Sequence, residues 1–318
     1  MGSVDTWVSF WGRRGPDRLA LAAGAGTVSW GSLAAQSSAR AAELAGAGAR
    51  PGSRIGVPAG DPVAAVEVIV ACAQLGAVAV LLGRADAADP LAGQDQAGDG
   101  GVGSGEIGMD EPLLMLGPGA AVLTHGNVEA VAVAAIAADG LVPPDCVGIA
   151  IPQAMAPAGL AGVLGGLHAG VLTRFGGVAA LLDEVGLPQP TVLVTTCEEL
   201  GRPGVAERLA AAGAPRLVKV AGPVPMELRR RAHSFGLVVV ETYGVAGSGG
   251  LSLQQPSSGG GLVPLLGQQA WVAAPAGQPG ELMLAGSAVA PSAGGWVRTG
   301  DLAVAGADGS LTILGRCT

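Results

Sequence analysis

The chain has 318 residues, 49% of them hydrophobic, 13% charged and 3% aromatic, with 55 glycines and a net charge of −8. That length and apolar content allow a large core in more than one subdomain and exclude global disorder. The acidic balance, with no Lys/Arg cluster alternating with aromatics, excludes a nucleic-acid surface, and the one basic run, Arg229 to Arg231, reads as a solvated helix face.

Taken in chain order, Thr27 to Leu33 begins as a strand, with Ser29 or Ser32 as N-cap of a helix over Ala34 to Ala47. Pro51-Gly-Ser-Arg turns the chain into a strand at Ile55 to Val57. Pro62 suits a first helical turn, Leu75 a last one, and Gly76 a stop before a strand over Ala77 to Leu82. Glu67 and Gln74 interrupt the apolar run Val63 to Leu82, which therefore predicts a buried helix and strand rather than a membrane span. The Gly/Asp/Ala/Gln-rich stretch 83–111 predicts a long loop or linker. Beyond it come a strand at Leu113 to Leu116 and a helix over Val128 to Ala138. Cys146 to Ile151 reads as a strand, and Gly159 to Leu172 as a helix feeding another. Thr191 to Thr195, Arg216 to Val220 and Leu237 to Glu241 read as strands, and Met226 to Ser234 as a helix. From Leu262 the pattern changes to short β segments with glycine turns. The expected fold is α/β: helix-covered, mostly parallel sheets over 1–261, followed by a small β-barrel-like subdomain over 262–318.

Cys72, Cys146, Cys197 and Cys317 show no Cys-x-x-Cys spacing, and His125, His168 and His233 are dispersed. A metal site and a disulfide framework are thus unsupported, and reduced thiols in a cytoplasmic protein are expected. The N-terminus carries no basic-then-apolar signal pattern.

One ordered series of motifs carries the chemistry. Thr27-Val-Ser-Trp-Gly-Ser-Leu33 precedes Gly48 to Val57 and Gln74 to Leu82. Leu113-Leu-Met-Leu-Gly-Pro-Gly119 leads into Val122-Leu-Thr-His-Gly-Asn127. Then follow Val220-Ala-Gly-Pro-Val-Pro225, Glu241-Thr-Tyr-Gly-Val-Ala-Gly247 and Gly280-Glu-Leu-Met-Leu-Ala-Gly286. Last come Gly295-Trp-Val-Arg-Thr-Gly-Asp-Leu302 and Asp308-Gly-Ser-Leu-Thr-Ile-Leu-Gly-Arg316. In this order the series resembles the adenylate-forming superfamily: acyl-CoA synthetases, acyl-AMP ligases and peptide-synthetase adenylation domains.

The resemblance implies an ATP-using ligase core, and the departures from it imply that ATP and Mg²⁺ binding are lost. Where the superfamily has a Ser/Thr/Gly loop ending in Pro-Lys-Gly, only Gly117, Pro118 and Gly119 remain, with glycine on the lysine position and proline removing a donor. Where it has the Thr that touches the α-phosphate and the Glu that holds Mg²⁺, this sequence has Ala246 and Gly247. Thr124, Asp301 and Arg316 complete this vestigial nucleotide site, Tyr243 and Gly244 stand where the family stacks adenine, and Asp301 where it binds ribose. The sequence stops at Gly315-Arg-Cys-Thr318, where the family hinge begins, so the C-terminal domain with its catalytic lysine is expected to be missing.

The family's acid pocket maps to Gln153, Met155, Ala221, Gly222, Tyr243, Gly244 and Val245. Glu241, Asp301 and His168 are the candidate acid–base groups, with no catalytic residue assigned; His125 reads as structural, and Cys197 lacks an evident histidine partner. No metal and no cofactor are expected. Three readings stay open. The first is a repurposed core of actinomycete-type specialised metabolism that binds an acyl or aryl acid, thioester or polyketide-like ligand without ATP. The second is an acyl-AMP or acyl-CoA ligase core completed by a domain in trans. The third is a non-catalytic partner of an intact paralogue, in a homo- or hetero-oligomer.

Overall fold

The computed structural model describes residues 2–24, 26–58, 60–81, 107–116, 121–291 and 295–317. The expected loop 83–111 therefore lies outside the described residues up to 106, as do Gly117, Pro118 and Gly119.

Three sheets organise the chain. The largest has nine strands, ordered Val263–Pro264, Leu253–Gln254, Val239–Tyr243, Leu217–Ala221, Val192–Thr196, Cys146–Ala150, Leu172–Phe175, Leu19–Ala23 and Gly26–Ser29. Its six central strands, from Val239–Tyr243 to Leu19–Ala23, are parallel to their neighbours. They are apolar along most of their length, as strands covered by helices on both faces must be. A second sheet joins Arg54–Val57, Val78–Leu81, Pro112–Met115 and Val122–Thr124. The third is the four-stranded antiparallel sheet Gln268–Val272, Gly280–Gly286, Val297–Ala305 and Leu311–Arg316. Thus the expected α/β class with a terminal β unit is what forms.

Local chemistry explains the element ends. Ser29 caps helix Trp30–Gly46 by accepting from Ser32 N, and Asp61 caps Pro62–Leu75 by accepting from Val63 and Ala64 N. That second helix stops at Gly76, whose φ of 65° no β-carbon-bearing residue adopts cheaply. Helix Met226–Ser234 lies where the sequence places it.

Several elements were not anticipated. Helix Val4–Arg14 precedes the first predicted strand, and its Val4, Trp7 and Val8 are buried. Strand Leu19–Ala23 and the short helices Val178–Asp183, Cys197–Gly201 and Val205–Ala211 also form. In Leu19–Ala23, Val178–Asp183 and Val205–Ala211 the alanine content flattens the polar/apolar contrast that periodicity needs.

The main core spans both larger sheets and includes Trp30, Leu33, Ile69, Leu113, Leu123, Leu160 and Leu164. Two cations are buried in the nine-stranded sheet. Lys219 holds Asp139 by contacts of 2.8 and 2.9 Å, with side chains 4% and 2% exposed. Arg174, fully buried, donates to Pro188 O and to Glu184.

Candidate functional site

The parallel strands 217–221 and 239–243 end side by side, so the segments leaving them face one another. Ala221 pairs with Thr242, and Gly222 N donates to Thr242 O at 3.0 Å. Tyr243, Gly244 and Val245 follow, and Ala246–Ser248 forms one 3₁₀ turn. Gly250 N returns to Val245 O at 3.0 Å, closing the loop.

This loop sits hard against the start of helix Pro157–Ala169. A β-carbon on Gly250, whose φ is 84°, would fall 2.1 Å from the Pro157 carbonyl carbon. One on Gly244 would fall 2.3 Å from Gly250 C. Glycine is required at both places, and the two walls of the predicted acid pocket touch there. Met155 is buried beside helix 157–169, whereas Gln153 is exposed in the preceding turn.

Tyr243, Asp301 and Arg316 form a connected set. The Tyr243 hydroxyl donates to Asp301 Oδ2 at 2.6 Å, and Arg316 Nη1 donates to Asp301 Oδ1 at 3.0 Å. Strand Val297–Ala305 supplies the aspartate and Leu311–Arg316 the arginine, which meet because Asp301 and Arg316 are cross-strand partners. Burial, and then the bond to Asp301, raises the Tyr243 hydroxyl above the ordinary tyrosine range.

Glu241 is held differently. Its Oε1 accepts from Arg229 Nη2 at 2.7 Å and from Val224 N at 2.9 Å. Arg229 also donates to Gln255 Oε1 and to Val239 O. Arg229 was read as part of a solvated face; the strand-to-helix geometry turns it inward, a partnership that no local spacing encodes.

His168 lies near the C-terminal end of helix 157–169, which runs back from the carboxyl ends of the strands, and so sits at the opposite edge of the sheet from Tyr243. Its ring meets Trp7 edge-on with centroids 4.6 Å apart, and burial lowers its pKa. It joins neither Glu241 nor Asp301.

Thr124 closes a capping box with Asn127: Asn127 N donates to Thr124 Oγ1, and Thr124 N to Asn127 Oδ1. His125, in the first helical turn, is 1% exposed, its Nδ1 paired with Ser3 Oγ and its pKa lowered by burial. At Gly247 the direction of a side chain leads to Val297 Cγ1 at 3.4 Å and Ala121 Cβ at 3.7 Å, an apolar surround.

All four cysteines are free, and burial pushes the Cys72 and Cys146 thiols up to about 12. Among the described residues no three His, Cys, Asp or Glu are grouped to hold a metal ion, and no helix is long and apolar enough to cross a membrane.

This geometry defines a class: the fold is that of the N-terminal domain of adenylate-forming enzymes. Residues 8–94 match the family described as AMP-binding enzyme. Over its whole length the chain resembles the N-terminal domain of FACL13 from Mycobacterium tuberculosis, with a TM-score of 0.85, 17% identity, and coverage of 99% and 100% of the two chains. A putative long-chain-fatty-acid CoA ligase from Rhodopseudomonas palustris gives 0.83, 19% identity and 99% of each chain. O-succinylbenzoate coenzyme A synthetase from Bacillus subtilis, in complex with AMP, gives 0.81, 20% identity, and 98% and 78%. At these identities the likeness is one of fold. No curated protein matched the sequence.

Proposed function

We propose that this chain is an adenylate-forming-type core that binds an acyl or aryl acid, an acyl thioester or a polyketide-like molecule and does not, unaided, activate it with ATP. The observation that carries the reading is the turn after Tyr243. Where a phosphate-binding hydroxyl and a magnesium-binding carboxylate belong, it has a methyl and a hydrogen, and the side-chain direction at Gly247 meets carbon only. A polyphosphate needs backbone N–H groups, hydroxyls and cations converging on it, and each lost group costs orders of magnitude in rate. Gly119, on the lysine position, adds to the deficit.

Glu241 and Asp301 are both engaged by arginines, which favours a binding or accessory role over acid–base catalysis. Free thiols suit a reducing cytoplasm. A second reading, a ligase core completed by a domain in trans, draws on one specific observation: Tyr243, Asp301 and Arg316, on the nucleoside side of the family site, remain together.

Calorimetry with ATP·Mg²⁺ and pyrophosphate exchange with a panel of carboxylic acids test the proposal. The expected results are no ATP binding tighter than about millimolar, some 4 kcal/mol, and no exchange. Pyrophosphate release by this polypeptide alone would refute it.

A further inference from the structure

The basic run Arg229 to Arg231 does not act as one patch on helix Met226–Ser234. Successive helical residues point about 100° apart, and the three guanidiniums part accordingly. Arg229 turns in to Glu241, and Arg231 pairs at 2.8 Å with Glu207 of helix Val205–Ala211. Arg230 is left outside with His233, which lies three residues on and therefore on the same face. The one ionic partner of Arg230 is Glu227, and their side chains are 71% and 83% exposed. Such a surface pair holds weakly and gives way to a better-placed anion.

A serine turn shares a cleft with Arg230 and His233. Strand Leu253–Gln254 runs antiparallel to Val239–Tyr243, so the chain leaving Gln254 returns towards Val239. Gln255, which is buried, pins it there. Its N–H donates to Glu241 O, its Oε1 accepts from Arg229 Nη1 at 2.6 Å, and its Nε2 donates to Gly260 O. Gly259 N then closes a turn on Pro256 O at 2.9 Å, with the Gly259 φ at 94°. Within that turn the Ser257 and Ser258 N–H groups and hydroxyls are exposed and make no hydrogen bond among the described residues. Arg230, His233, Ser257 and Ser258 line one cleft of about 360 Å³, with Val238 and Pro256 as apolar wall. Tyr243 lies four residues beyond Val239 on an extended strand, about 13 Å further along. The cleft is thus at the opposite end of that strand from the turn after Tyr243.

We propose that this cleft binds an organic phosphate monoester, its phosphate on Arg230, His233 and the Ser257–Ser258 turn and its organic group on Val238 and Pro256. A phosphate monoester carries close to two negative charges and three acceptor oxygens. The Arg230 fork matches two of those oxygens. An imidazole N–H, two backbone N–H groups and two hydroxyls supply donors from other directions. A planar carboxylate would use the fork and leave the donors of the turn idle. Arg229 and Gln255 hold the turn opposite the helix, which gives the inward arginine a purpose beyond its pair with Glu241.

Phenyl phosphate, with phenol as its uncharged counterpart, is the probe, titrated into the full chain and followed by ligand-observed NMR. Phenyl phosphate binds, and phenol binds at least about tenfold more weakly, as loss of the charge-assisted bonds implies. Arg230→Gln and Ser258→Glu each weaken phenyl phosphate about tenfold, the first by removing a cation and the second by adding an anion. Both side chains are exposed, so circular dichroism melts of the two variants stay with wild type. Absence of phenyl phosphate binding, phenol binding equally well, or unchanged affinity in both variants overturns the proposal. ATP held in this cleft is released by Arg230→Gln, whereas ATP in a working ligase site is not, so this inference and the proposed function fail separately.

Discussion

Replacing Lys219 by methionine leaves Asp139 as a buried carboxylate without its ammonium. Asp139 is the last residue of helix His125–Asp139, where the helix dipole already disfavours negative charge. Lys219 therefore offsets both burial and dipole, through two contacts under 3 Å. Breaking one side of a buried pair costs about 3–5 kcal/mol, whereas replacing both partners by apolar groups of similar size is often neutral. Arg216 donates to the backbone carbonyls of Asp139 and Gly140, but its guanidinium is paired with Asp145, so it supplies only part of the missing charge. That places Lys219→Met at the lower end, about 3 kcal/mol. At roughly 2 °C per kcal/mol for a chain of this size, the melting midpoint falls by about 6 °C at pH 7. Lys219→Met/Asp139→Leu recovers most of the loss. Circular dichroism melts of the wild type, both single variants and the double variant make the test. A single variant melting with wild type, or a double variant as unstable as the single, would refute the argument that the pair matters through its uncompensated charge.

Other outcomes follow from the site. Tyr243 is the sole tyrosine, so absorbance at 295 nm reports it alone; its ionisation is expected above the ordinary range near pH 10, and Asp301→Asn lowers it. Because the folded value exceeds the unfolded one, this group's stabilisation is complete below about pH 10 and is lost as pH rises towards the folded value. His125 runs the other way: its folded pKa is depressed, so its stabilisation holds above about pH 6.5 and is lost as pH falls through the folded value. Melts at pH 7.5 and 5.5 should show that loss, and His125→Phe should reduce it. Gly250→Ala meets both the Pro157 backbone and a left-handed φ, and should cost at least about 2 kcal/mol in a denaturant titration. Thr124→Ala removes one side of the capping box and should cost about 1 kcal/mol by the same measurement.

Most of the parallel architecture was legible because its signals are local. Asp61, Pro62 and Gly76 bound their helix by capping and backbone geometry, and strands such as Cys146–Ala150 are continuous apolar runs between turns. Helix Val4–Arg14 escaped notice because its anchors, Trp7 against His168 and Trp11 donating to His168 O, lie more than 150 residues away. The candidate site was legible only as motif order. That order brought Ala221, Gly222, Tyr243 and Gly244 together, yet it gave no sign that Arg229 would hold Glu241 or that His168 would sit at the far edge. Those facts depend on register between distant strands.

The Asn127 carboxamide has a wider consequence. Besides its part in the capping box, its Nδ2 donates to Ser287 O at 2.7 Å and Val289 O at 3.0 Å, and Ala290 N in turn donates to Gly247 O at 2.7 Å. One amide thus rivets the terminal sheet to the head of helix 125–139, and the next peptide unit clamps the turn after Tyr243. Severing the chain between Gly261 and Leu262 would strip acceptors from the head of that helix and a donor from the turn. The two halves are better regarded as a single mechanical piece than as separable modules.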